Sequence, residues 1–169
     1  MNQIPAVPPT DSTFHAARAM RIAVVSSSWH RDIVDSALQG MHTEFARSPK
    51  PPDRIDSFDV PGAFEIPLHA KKLAATGRYD AIVACGLVVN GGIYRHDFVA
   101  AAVIDALMRV QIESGVPVLS AVLTPRDFHE HDDHRQFFRE HFVKKGREVA
   151  RACLETIANQ RALAALPID

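Results

Sequence analysis

The sequence predicts an α/β protein in which a parallel sheet carries helices on both faces, and three observations lead there. Short apolar runs over residues 21–28, 54–60, 81–89 and 116–123 alternate with stretches of helical spacing, which is the pattern of right-handed crossovers in a doubly wound sheet. The runs at 81–89 and 116–123 are apolar without period-two alternation, as strands covered on both faces are. The chemically distinctive groups all follow the strands: Ser28-Trp29-His30, Asp59-Val60-Pro61-Gly62, Asn90-Gly91-Gly92 and Thr124-Pro125. In a parallel sheet these ends open on one edge, the carboxyl edge where such proteins bind ligands.

Taken in order, residues 1–20 hold Pro5, Pro8 and Pro9 among small polar residues without a period. That predicts an extended N-terminal arm, followed by one domain over residues 21–169. Residues 21–28 (RIAVVSSS) read as the first strand. A helix is expected from about Asp32, where Ile33, Val34, Ala37, Leu38, Met41 and Phe45 recur on one face. Pro49, Pro51 and Pro52 make the next stretch a loop. The second strand, 54–60, is weaker by pattern and ends at Pro61-Gly62. Helical spacing resumes over 63–76 through Ile66, Leu68, Ala70, Leu73 and Ala74; Pro67 fits only in a first turn, and Gly77 is placed to stop the helix.

The third strand, 81–89, runs into Asn90-Gly91-Gly92, where missing side chains let the backbone turn and a ligand come close. Tyr94-Arg95-His96-Asp97 follows. A helix then carries Phe98, Val99, Ala102, Val103, Ala106, Leu107 and Val110 on one stripe, closed by Gly115 and Pro117. After the fourth strand, 116–123, residues 126–135 form a polar loop crowded with histidines and acids. A long helix is expected from about residue 136 to 165, with an interruption allowed at Gly146.

Composition narrows the function. At 169 residues, with 47% hydrophobic and 23% charged residues, the chain suits one ordinary globular domain. A net charge of −1 with neutral histidines excludes the basic field of a nucleic-acid binder. Nine histidines make the charge rise steeply as pH falls through the imidazole range. No apolar run reaches bilayer length, and the N-terminal stretch lacks a basic-then-apolar signal pattern. Cys85 and Cys153 lack CxxC spacing, so reduced thiols in a cytoplasm are expected, with no membrane or nucleic-acid partner.

Several residues are candidates for chemistry. Trp29, the one tryptophan, fits a core or interface aromatic or a platform for a flat heterocycle, and its place on the rim favours the platform. Arg95 and His96 stand at a helix start, where a cation opposes the helix dipole and an anion is therefore expected nearby. His96 can move protons near neutrality; Arg95 is too basic and suits an anion. Glu65 is either an acid favoured by a first helical turn or an acceptor for a polyhydroxyl ligand. The run His129, Glu130, His131, Asp132, Asp133, His134 lacks any spaced zinc pattern, so a solvated or phosphate-contacting loop ranks above a metal site. Gly91-Gly92 is no dinucleotide fingerprint, and no Walker pattern exists.

Residues 60–67, VPGAFEIP, resemble the signature of the lumazine synthases, and the likeness extends from Arg21 to about Asn159, including Lys144-Lys145-Gly146. It implies a three-layer α/β/α architecture with a four-stranded parallel, flavodoxin-like sheet. The implied reaction joins 5-amino-6-(D-ribitylamino)uracil and 3,4-dihydroxy-2-butanone 4-phosphate into 6,7-dimethyl-8-ribityllumazine, with loss of phosphate and water and without cofactor or metal. Trp29 would then stack on the pyrimidine, while Ala63, Phe64 and Glu65 hold the ring edge and ribityl chain. Leu87, Val88 and Val89 would line the ring pocket, with Ser120 closing it from a neighbouring subunit. Gly91, Gly92, Ile93 and His134 would meet the phosphate.

Two positions depart from the commoner family pattern. Arg95 stands where a catalytic histidine is usual, with His96 one residue later, and His134 stands at the phosphate-binding arginine. These departures resemble the type II branch, whose members are pentamers paired into decamers. Arg95 is the matched catalytic position, and His96 the proton carrier on acidity grounds. A rival reading keeps the scaffold as a flavin- or lumazine-binding protein with catalysis lost at Arg95 and His134. A third is a purely structural assembly.

Overall fold

The computed structural model describes residues 19–129 and 131–167, so nearly all of the expected arm, and Glu130, lie outside the described residues. Four strands form one sheet: β1 (Arg21–Ser27), β2 (Arg54–Val60), β3 (Ala81–Leu87) and β4 (Val118–Leu123). Their order is β2-β1-β3-β4 and every pairing is parallel. The helices are α1 (Arg31–Arg47), α2 (Ile66–Ala75), α3 (His96–Ser114) and α4 (Asp132–Ala164), with a 3-10 turn (Ala63–Glu65) leading into α2.

Strand residues alternate between two cores. Ile22, Val24, Val83 and Cys85 face α1 and α4. Ala23, Val25, Ile82 and Ala84 face α2 and α3. Central strands buried on both sides need apolar residues at every position, which is why β1 and β3 show no alternation. Edge strand β2 is only partly covered, with Ile55 packed on one core and Phe58 and Val60 on the other, so its pattern is diluted on both faces by exposed Arg54, Ser57 and Asp59. Cys85 and Cys153 are free and buried, and burial pushes both thiols up to about 12.

The structure departs from the sequence expectations in four places. The helical stretch over 63–76 divides into the 3-10 turn and α2, with Pro67 in the first turn of α2. Helix α4 starts at Asp132, shortening the expected polar loop. Its first turn holds Asp132 and Asp133, where the helix dipole favours carboxylates. Gly146 does not interrupt α4. A Cβ there would lie 1.9 Å from the Ala37 carbonyl oxygen, and one at Gly40 would lie 2.1 Å from that of Val143. The two glycines let the backbones of α1 and α4 touch. Finally, the predicted stripe of α3 is partly misassigned. Ala100, Val103, Leu107 and Val110 are buried, whereas Phe98, Ile104, Met108 and Ile112 form a second, exposed apolar face.

A polar tie joins the starts of α1 and α4. Asp32 accepts hydrogen bonds from Arg135 Nη2 at 2.7 Å and Arg139 Nη1 at 3.1 Å. Partial desolvation pushes the Asp32 carboxyl up, but the hydrogen bonds and charges of the two guanidiniums outweigh it and hold the pKa below its usual value. A lowered carboxyl pKa gives stability that is present above the unfolded-state value and lost as pH falls through the folded one. Asp32→Asn is therefore expected to lower the melting temperature near neutral pH, by the equivalent of about 1 kcal/mol or less for so exposed a pair. The deficit should shrink, and finally vanish, as pH falls through and below the usual carboxylate range. A deficit of equal size at both ends of a pH series would rule out this role.

Candidate ring-binding site at the carboxyl edge of the sheet

The site begins where β1 ends. Ser28 N–H donates to the carbonyls of Val60 and Pro61, at 2.8 and 3.1 Å, and Trp29 N–H donates to Pro61 at 3.2 Å. The end of β1 is thereby fastened to the corner after β2. The Trp29 ring lies over Gly62, where a Cβ would come within 2.9 Å of two indole carbons. A side chain there would displace the indole, whereas the backbone itself is extended and does not call for glycine. Glu65 closes the same corner: its Oε2 accepts the Gly62 N–H at 2.8 Å, and its own N–H donates to the Gly62 carbonyl at 3.3 Å.

On the other side stands the end of β3. Leu87 and Val88 are buried and Val89 half-buried. Val88 N–H donates to the Leu123 carbonyl at 2.9 Å, and its own carbonyl accepts the Thr124 hydroxyl at 2.8 Å. Between the β1 and β3 ends lies a cleft of about 190 Å³. Trp29, Ala63 and Phe64 form one wall, Leu87, Val88 and Val89 the floor, and His30, His96 and Val99 the remaining sides. Trp29 and Phe64 stay 65% and 62% exposed, as aromatics waiting for a flat partner do. In the order β2-β1-β3-β4 the cleft sits where the winding reverses, the usual ligand position in this topology. Its volume is below the roughly 300 Å³ of a small-ligand pocket, so one chain has room for a ring but not for a ring with long polar substituents.

The other predicted residues take different places. Glu65 lines an adjoining groove of about 510 Å³, beyond Phe64, together with Asp59, His69 and Lys72. Arg95 lies outside the cleft. Its Nη2 donates to Asp97 at 2.7 Å, its guanidinium lies 4.3 Å from the centre of the Phe98 ring, and its side chain is 68% exposed. Of the two adjacent candidates, the cleft receives His96. Gly92 has a left-handed φ of 78°, and its N–H donates to Asn90 Oδ1 at 2.9 Å. Gly91, Gly92 and Ile93 precede α3, which starts only at His96.

His134 faces a second hollow with His129, His131 and Phe137. Its Nδ1 accepts the His129 N–H at 2.9 Å, so its Nε2 carries the proton in the neutral ring. Its ring packs near Phe128, at 6.1 Å, and Phe128 meets the His30 ring edge-on at 5.4 Å. Ser120 is exposed on edge strand β4, outside the cleft of its own chain. Among the described residues no three His, Cys, Asp or Glu side chains converge as a metal would require. None of the described helices is long and apolar enough to cross a membrane. His30 also lines the cleft, a placement that nothing in the sequence singles out except its position beside Trp29.

A parallel flavodoxin-like sheet with an aromatic-walled slot at its winding reversal defines a class: a doubly wound α/β protein whose candidate site sets exposed aromatic faces beside an imidazole. The chain belongs to the 6,7-dimethyl-8-ribityllumazine synthase family, whose model matches residues 19–161. It is 59% identical over 146 residues to a 6,7-dimethyl-8-ribityllumazine synthase of Rhodococcus erythropolis, covering 86% of this chain and 94% of that protein. It is 52% identical over 143 residues to 6,7-dimethyl-8-ribityllumazine synthase 2 of Pseudomonas syringae pv. tomato, covering 85% and 84%. A 6,7-dimethyl-8-ribityllumazine synthase of Deinococcus radiodurans is 36% identical over 143 residues, covering 83% and 88%.

Proposed function

We propose that this protein is a transferase of riboflavin biosynthesis. It condenses 5-amino-6-(D-ribitylamino)uracil with 3,4-dihydroxy-2-butanone 4-phosphate to 6,7-dimethyl-8-ribityllumazine, releasing phosphate and water. The observation that carries the reading is the meeting of Trp29, Phe64 and His96 around one apolar slot, in a chain of this family. The pyrimidine stacks on Trp29 against the floor of Leu87, Val88 and Val89. Its ribityl chain leaves past Ala63 and Phe64 toward Glu65. Holding amine and ketone together in register supplies most of the acceleration. His96 moves protons as the amine adds to the ketone, water leaves the carbinolamine and phosphate leaves by elimination. The ribitylamino nitrogen then adds to the remaining carbonyl and closes the second ring with loss of a second water. No cofactor or metal enters the scheme. Arg95 contributes charge near the entrance and not proton transfer.

The working unit in this reading is a homo-oligomer in the cytoplasm, a pentamer paired into a decamer, with residues 21–169 as its catalytic unit. The exposed α3 face of Phe98, Ile104, Met108 and Ile112 supports an interface between copies. So does the small cleft, which a neighbour's Ser120 would extend. Purified protein mixed with both substrates should release inorganic phosphate and form a fluorescent lumazine at matching rates. Retention of lumazine or flavin without phosphate release is the result that overturns the reading.

The phosphate is assigned to Gly92, Ile93 and His134, whose ring offers its Nε2–H as a donor while Nδ1 accepts the His129 N–H. His134→Ala should therefore raise the KM for the ketone phosphate about tenfold while leaving that for the pyrimidine amine within about threefold. An unchanged KM for the ketone phosphate would remove His134 from the phosphate site.

A further inference from the structure

We propose that His30 is the residue that positions the Trp29 indole, and that it does so through its backbone and not its imidazole; the inference rests on reading the cleft as a ring site. Among the described residues His30 alone, glycines aside, has a positive φ, at φ 53° and ψ 43°. Side chains with a Cβ rarely adopt this left-handed conformation, and it persists where the surroundings impose it.

Here the imposition can be traced. Ser28 and Trp29 are hydrogen-bonded to the Val60–Pro61 corner, which belongs to the layer containing α2 and α3. The next element, α1, packs on the opposite face of the sheet, with α4. Only His30 lies between Trp29 and the start of α1 at Arg31. One left-handed residue turns the chain through the sheet edge in that single step. Its carbonyl then accepts the Ile33 and Val34 amides, both at 3.0 Å, and opens the helix. The His30 side chain makes no capping hydrogen bond, and its ring meets the edge of Phe128. Gly62 completes the seat by admitting the indole where a Cβ would clash. The indole is thus aimed by one backbone feature before α1 and one beneath the ring.

The test compares His30→Gly and His30→Asn, which accept positive φ, with His30→Val, whose β-branch opposes it. Because Trp29 is the only tryptophan in the chain, quenching of its emission by 6,7-dimethyl-8-ribityllumazine reports the seat directly. Steady-state kinetics add the KM for the pyrimidine amine and kcat. Valine should raise the lumazine Kd and the amine KM about tenfold, with kcat falling by a smaller factor, whereas glycine and asparagine should lose markedly less in both Kd and KM than valine does.

Equal losses in the glycine and valine variants would assign the role to the imidazole and overturn the proposal. A valine variant that binds like wild type overturns it too. If the valine chain does not fold, His30→Ala makes the same comparison at smaller amplitude. Wild-type protein that binds the lumazine without forming it would sink the synthase reading and leave this inference standing.

Discussion

Gly146→Ala is expected to destabilise the protein severely, although alanine is the better helix former. In an exposed helix interior the exchange stabilises by about 1 kcal/mol. Here the added methyl would stand 1.9 Å from the Ala37 carbonyl oxygen, in the middle of α1. The obstacle is backbone, so it cannot swing aside as a side-chain end would. The two helices must separate along their contact, which opens the core of Met41, Phe45, Phe142 and Cys153. Overpacking of this kind costs about 3 kcal/mol, at the upper end of measured cases. For a chain of this length that corresponds to a fall in melting temperature of about 6–12 °C. Gly40→Ala, blocked by the Val143 carbonyl at 2.1 Å, should behave alike. Because the pair shares one contact, the double variant should cost less than the sum of the singles. Thermal denaturation of the three proteins checks this, and an unchanged or raised melting temperature in Gly146→Ala would refute the close-contact account.

His96→Asn should lower kcat by about a hundredfold while leaving the KM for the pyrimidine amine within about threefold, because general acid–base transfer is worth that much and ring stacking lies elsewhere. Arg95→Ala should change kcat by less than about threefold, since its guanidinium is engaged by Asp97 and lies over Phe98 outside the cleft. Residual turnover in His96→Asn is expected, because juxtaposition of the two reactants survives the loss of the imidazole. Steady-state kinetics on the two single variants decide the matter. Comparable losses, or a larger loss at Arg95, would transfer the catalytic assignment to the arginine.

Much of the fold was legible without coordinates. The central strands are largely apolar runs, and the alternation of strands with helical periods admits few topologies. The ends of β1 and β3 likewise announced the site, because a lone tryptophan and a pair of glycines are conspicuous at a strand end. What the pattern could not separate was core from surface on α3. Both of its faces are apolar, and hydrophobic periodicity does not say which one meets the sheet and which stays exposed. Gly146 poses a related difficulty: glycine in a helix reads as a weakness unless the opposing backbone is known.

The sequence by itself determined the layer architecture, the carboxyl edge as the place of the candidate site, and the residue types gathered there. These follow from local periodicity and from the direction of parallel strands. Only the tertiary structure decided that His96 and not Arg95 enters the cleft, that Glu65 belongs to the adjoining groove, and that Gly40 and Gly146 are helix contacts. Each of those depends on which way a side chain or backbone faces a partner distant in sequence, and neighbouring residues along a chain share a location without sharing a direction.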